Sequence, residues 1–150
     1  MQKLNRAVIV LAVLLCAAGI SAAADGKLMH CFYFTAVEGA TAADWEAFYA
    51  ATDALPGKIP GLLNVWHGKL NRPMGLFMPG AETRKNIKPD STKLTGEFNR
   101  VVRQHGVCME FKDQDALKAY GPHPAHKEWE AVYGKVRQYG TNTFDIPPAK

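Results

Sequence analysis

The sequence predicts an α+β sandwich, with one sheet covered by helices on a single face. Three observations carry that expectation. There are four β-rich runs; there are helical segments between them with caps or amphipathic spacing; and the order is β-α-β, a long insert, then β-α-α-β. Two split β-α-β halves in that order make a ferredoxin-like sandwich. Its second sheet face is left bare, and a bare face implies a partner.

The elements follow in order. Residues 28–34 (LMHCFYF) form a first strand that can be buried on both faces. Thr41 with Asp44 resembles a capping box. Trp45, Phe48, Tyr49, Thr52 and Leu55 then recur at helical spacing, predicting a helix over about 42–55 that Pro56-Gly57 ends. Residues 62–69 (LLNVWHGK) read as the second strand, and 107–111, extending back towards Val101, as the third. A short helix over 113–120 stops at Gly121-Pro122. Pro124 suits the first turn of a further helix, whose face is Trp129, Val132, Tyr133 and Val136. Residues 143–146 are a last short strand.

The chain has 150 residues, 18 basic and 14 acidic, for a formal charge of +4. Residues 1–24 read as a secretory signal. Lys3 and Arg6 give a basic start, 7–18 an apolar run, and Ala22-Ala23-Ala24 the small residues for cleavage after Ala24. The expected mature domain is 25–150, secreted or periplasmic, with no stable membrane insertion after cleavage. Without Lys3 and Arg6, 16 basic residues face 14 acidic ones, leaving +2. A nucleic-acid-binding domain is expected to keep a strong basic excess, so nucleic acid is not the expected partner. Cys31 and Cys108 remain in the mature chain. An oxidising compartment permits a bridge, but a lone pair without a spacing signature in strand-like runs reads first as two buried thiols.

The insert, about 70–104, holds Pro73, Gly75, Pro79, Gly80 and Pro89 and little periodicity, and reads as a loop. Seven basic and three acidic residues give it +4, while the rest of the mature chain, with nine and eleven, carries −2. It is either a solvated loop or a lid with an anion-attracting rim.

All five histidines lie in the mature domain. Strand alternation lets His30 share a face with Phe32 and Phe34, and His105 with Val107, Met109 and Phe111. If both faces meet the helices, the two imidazoles sit at one end of an apolar cavity, closed from the helical side by Tyr120 and His126. His and Tyr around an apolar cleft are plausible acid and base groups. His123 and His126 are three residues apart, a spacing a metal can use, but no HExxH, CxxC or nearby acid accompanies them, so no metal is expected. Cys31 alternates away from His30, and Cys108 from His105, which disfavours a Cys-His nucleophile.

The stretches 29–34 (MHCFYF), 55–61 (LPGKIPG), 106–111 (GVCMEF) with 115–120 (DALKAY), and 123–126 (HPAH) resemble the stress-responsive A/B barrel (Dabb) family. The resemblance covers about 28–146 apart from the insert. It implies a homodimer in which two bare sheet faces close a dimeric α/β barrel, here through Cys31, Tyr33, Cys108 and Glu110. By similarity to the family's plant polyketide cyclase, which forms olivetolic acid, Tyr120 and His126 would be catalytic. His30, His105, Phe48 and Tyr49 would bind a small apolar or polyketide-like ligand. His126 would remove a proton next to a carbonyl while Tyr120 hydrogen-bonds the oxygen, with no cofactor. Two alternatives stay open: a non-catalytic, stress-related stable barrel, and a histidine-metal or haem-related binding protein.

Overall fold

The computed structural model describes residues 26–90 and 92–148, so the expected signal segment, 1–24, lies outside the described residues. Four strands, β1 (Leu28–Phe34), β2 (Leu62–Pro79), β3 (Phe98–Phe111) and β4 (Asn142–Ile146), form one sheet in the order β2-β3-β1-β4. Every neighbouring pair is antiparallel. Among the described residues five helices accompany them: α1 (Ala42–Asp53), α2 (Leu55–Lys58), α3 (Ala81–Lys85), α4 (Gln114–Tyr120) and α5 (Pro124–Val136). This is the expected ferredoxin-like α+β sandwich. Among the described residues no helix is long and apolar enough to cross a membrane.

The caps are local and fall where the sequence places them. Thr41 and Asp44 form the reciprocal box: the Asp44 amide donates to the Thr41 hydroxyl (3.2 Å), and the Thr41 amide to the Asp44 carboxylate (3.0 Å). Those bonds from Thr41 hold the Asp44 carboxyl below its usual range. Helix α1 stops at Asp53, two residues short of expectation. Leu55 instead opens the separate turn α2, with Pro56 in its first turn.

The core lies between α1, α5 and the inner sheet face. Phe32 and Phe34 meet Phe48, Trp129 and Tyr133 edge-on or tilted, at ring separations of 5.0–5.9 Å. Thr52 is the one polar residue on the buried side of α1. Its hydroxyl donates to the Phe48 carbonyl (2.7 Å) and accepts from the Trp129 indole (2.9 Å), joining the two helices. Thr52→Val keeps the shape and strands the indole N–H. It is expected to cost about 1–3 kcal/mol, the usual penalty for a buried donor left without a partner. A denaturant midpoint unchanged from wild type would contradict this role.

The segment 70–104 is not a loop, and the expected strand limits are corrected here. Beyond a register shift between Lys69 and Met74, β2 and β3 continue as a two-stranded ribbon from Met74↔Arg103 to Pro79↔Phe98, followed by α3. The shift breaks the period-2 pattern, and the ribbon leaves apolar Phe77, Met78 and Phe98 exposed. Neither local signal of a half-buried strand survives that arrangement.

The reading of Cys31 and Cys108 as free thiols is also corrected. They lie directly opposite each other in the β1–β3 pair, with Cα atoms 4.1 Å apart, and form a disulfide. Only the strand register reveals that match. The bridge sits on the outer sheet face, in register with Trp66 on β2 and Phe144 on β4.

Candidate functional site

The turn between α4 and α5 builds the centre of the site. Tyr120 ends α4. His123 caps α5, its Nδ1 accepting from the Ala125 amide (3.2 Å), and Pro124 starts the helix. His126 lies in the first turn, and its Nδ1–H donates to the Gly121 carbonyl (2.9 Å). A carbonyl can only accept, so the neutral ring keeps its lone pair on Nε2. The motif 123–126 therefore has two separate jobs: His123 caps the start of α5, and His126 brings an imidazole with its lone pair on Nε2 to the site.

From the sheet, His30 reaches the same place. Its Nδ1 lies 2.7 Å from Asp145 Oδ1, the residue opposite it on β4. The carboxylate accepts from Nδ1–H, again leaving Nε2 with the lone pair. Tyr120 is wedged between the two rings, 5.9 Å from His30 and 4.1 Å from His126. Burial, with a smaller contribution from Glu130, pushes the Tyr120 hydroxyl well above its ordinary value, so it stays a hydrogen-bond donor.

His30 and His126 open on a cleft of about 420 Å³. The sheet side adds Phe32 and Thr143. Along α5 run Trp129, Glu130, Tyr133 and Arg137, and the far end is closed by residues 139–141. The Trp129 ring stacks on both His126 (5.7 Å) and Tyr133 (4.7 Å), which gives the cleft a flat aromatic wall. The volume falls within the usual range for a small-molecule site.

The other expected site residues lie elsewhere. His105 faces Phe34 in the register, four residues along β1 from His30, a separation of roughly 13 Å at the rise of a strand. The expectation that His30 and His105 share one end of a cavity is therefore corrected. Antiparallel pairing sets the start of β1 against the end of β3, and His105 is near the middle of its strand. It stacks on Trp45 (4.4 Å) and Phe34 (5.4 Å). Burial, together with the nearby Lys69 charge, holds its pKa below the usual value. Phe48 is part of the closed core. Tyr49 stacks on His67 (4.9 Å), whose Nε2 lies 2.8 Å from Asp53 Oδ1. None of His105, Phe48 and Tyr49 lines the cleft that holds His30 and His126, and Tyr120 is buried behind both imidazoles and is not itself a lining residue.

Asp145 and Arg137 are part of the site and were not singled out from the sequence. The alternation of β4 carried a weak signal for Asp145, but only the pairing of β4 with β1 sets it against His30. Among the described residues no three His, Cys, Asp or Glu side chains gather as metal ligands.

No family model and no curated protein matches the chain. Solved structures do. A Dabb family protein with a ferredoxin-like fold from Mesorhizobium loti superposes with a TM-score of 0.51 at 17% identity, covering 83% of this chain and 99% of its own. A hydroxynitrile lyase from Passiflora edulis gives 0.55 at 9% identity, covering 81% and 93%. A dimeric protein of unknown function from Bacteroides fragilis, also ferredoxin-like, gives 0.51 at 17%, covering 81% and 95%. At these identities the likeness concerns the fold.

Proposed function

We propose that the protein is an exported, homodimeric domain of the Dabb kind whose cleft binds a small, largely apolar carbonyl compound and performs cofactor-free acid/base chemistry on it. The observation that carries this is that two imidazoles line one aromatic-walled cleft, each with its Nδ1 already engaged elsewhere, which leaves the lone pair on Nε2. His126 is the base that removes an acidic proton beside the carbonyl. Tyr120 donates to the oxygen as negative charge develops, and His30, held by Asp145, binds the substrate and shares the proton. The apolar wall strengthens each of those hydrogen bonds. A polyketide-cyclase reaction fits the pattern, because a β-polyketone carries protons acidic enough to need no cofactor. That a hydroxynitrile lyase shares the fold supports acid/base work on this scaffold. The disulfide supports export, since such bonds persist in oxidising compartments.

The test uses an aryl 1,3,5-triketone, with cyclisation followed by absorbance. Wild-type protein is expected to accelerate ring closure over buffer. His126→Ala is expected to lose at least about 100-fold of that acceleration, the usual contribution of a general base, with an unaltered far-UV spectrum. No acceleration by wild type, or equal rates in the two proteins, would sink the catalytic reading and leave a binding domain.

A further inference from the structure

The cleft is electrically lopsided. At one end stand the imidazoles and, on the same helix, Glu130. At the other end stands Arg137, eleven residues beyond His126, or about 16 Å along a helix axis. The Arg137 guanidinium lies over the Tyr133 ring, 4.6 Å from its centre. Its Nε is buried and has no hydrogen-bond partner. Arg137 follows the last turn of α5, where carbonyls supply partial negative charge, yet Nε bonds none of them.

A second guanidinium stands behind the same wall. Arg103, at the root of the β2–β3 arm, is only 7% exposed. Its hydrogen bonds go to neutral oxygens, Asn142 Oδ1 (2.9 Å) and Thr35 Oγ1 (3.0 Å). Among the described residues no carboxylate lies within 4 Å of either arginine. Gly140 lines the cleft here with φ +91°, a conformation that favours glycine. A Cβ at that position would stand 3.7 Å from Arg103 Nη2, so this guanidinium lies close behind Gly140 in the cleft wall. Arg103 is buried among neutral partners and Arg137 is half-buried at the cleft wall, so an anion seated there would balance charge that no carboxylate of the protein offsets.

We infer that the Arg137 end of the cleft is a carboxylate-anchoring subsite, and that the ligand is a small amphipathic acid. Its carboxylate meets Arg137, with Arg103 adding longer-range attraction. Its apolar body lies on the Trp129–Tyr133 wall, and its reactive end reaches His126 and His30. This rests on the cleft being the ligand site proposed above. Arg137 is a binding and orienting residue: a planar guanidinium fork suits a carboxylate and sets which end of the ligand points at the bases.

The test titrates 2-naphthoate and its isosteric amide, 2-naphthamide, into the mature protein at low salt, watching the ring signals of His30 and His126 by NMR. The acid is expected to bind at least ten times more tightly than the amide. Arg137→Gln is expected to abolish that ratio, the acid falling to about the amide's affinity for the same variant. Equal affinities in wild type, or a ratio that survives Arg137→Gln, overturn the subsite while the cleft stands. If neither probe moves the imidazole signals, the cleft itself is not the ligand site, and the subsite falls with it.

Discussion

Replacing Cys31 and Cys108 together by alanine is expected to lower the unfolding free energy by about 4.5 kcal/mol, the loop-closure value for a bridge between residues 77 apart in sequence. The bond ties the central strand pair, so the cross-link removes many open conformations from the unfolded chain. A domain of ordinary stability has only about 5–15 kcal/mol in total. The double variant is therefore expected to be marginal at 37 °C, and wild type in dithiothreitol to match it. Paired urea denaturation curves check this. A difference under about 1 kcal/mol between oxidised wild type and the variant would show that the bridge constrains little, which is the low end of what disulfides deliver. The result also bears on compartment: a domain that loses this much on reduction is suited to an oxidising one.

Trp66→Glu is expected to convert a homodimer into a monomer. The outer sheet face carries Trp66 at 52% exposure, Phe144 at 38% and Ile146 at 53%, while the helices cover only the inner face. Tyr33 and Phe144 pack against each other on that outer face (5.5 Å). Gly68 and Gly106, opposite each other in β2 and β3, leave a hollow beside Trp66 of about 230 Å³. In an isologous dimer one substitution counts twice. A central tryptophan is worth roughly 2 kcal/mol or more per copy. The pair therefore comes to about 4 kcal/mol, a 1,000-fold weaker dimer. Sedimentation velocity at 10 µM, a concentration of about that order being ample for an obligate pair, separates the outcomes. A wild-type protein that sediments as a monomer there removes the homodimer altogether. A variant that still sediments as a dimer moves the interface off this face.

The contrast between what could be read from the chain and what could not is sharpest at the catalytic candidates. Tyr120 and His126 are six residues apart, and the helix stop at Gly121-Pro122 with the start at Pro124 brings them together. Their contact at 4.1 Å follows from local chain geometry. His30 joins them from more than eighty residues away. The strand pattern placed it on the inner face but not along the strand, and His105, given the same face, turned out to belong to a different cluster. Phe48 and Tyr49 failed similarly: helical spacing identified their buried side but not whether an open cleft or closed packing would lie there.

By itself the sequence determined the things decided within a turn or two of backbone. These are the Thr41–Asp44 cap, the opening of α5 at Pro124, a first strand with buried residues on both faces and the element order that makes the sandwich. Short-range hydrogen bonds and the 3.6- and 2-residue periods settle such features without help from distant chain. Tertiary structure alone decided the disulfide, the arm built from 70–104, the His30–Asp145 pair and the placing of Arg137 at the end of the cleft with Arg103 behind it. Each depends on strand register or on a neighbour remote in sequence. A shift of one residue in that register would have sent the strand residues among them, Cys31, Cys108, His30, Asp145 and Arg103, to the opposite face.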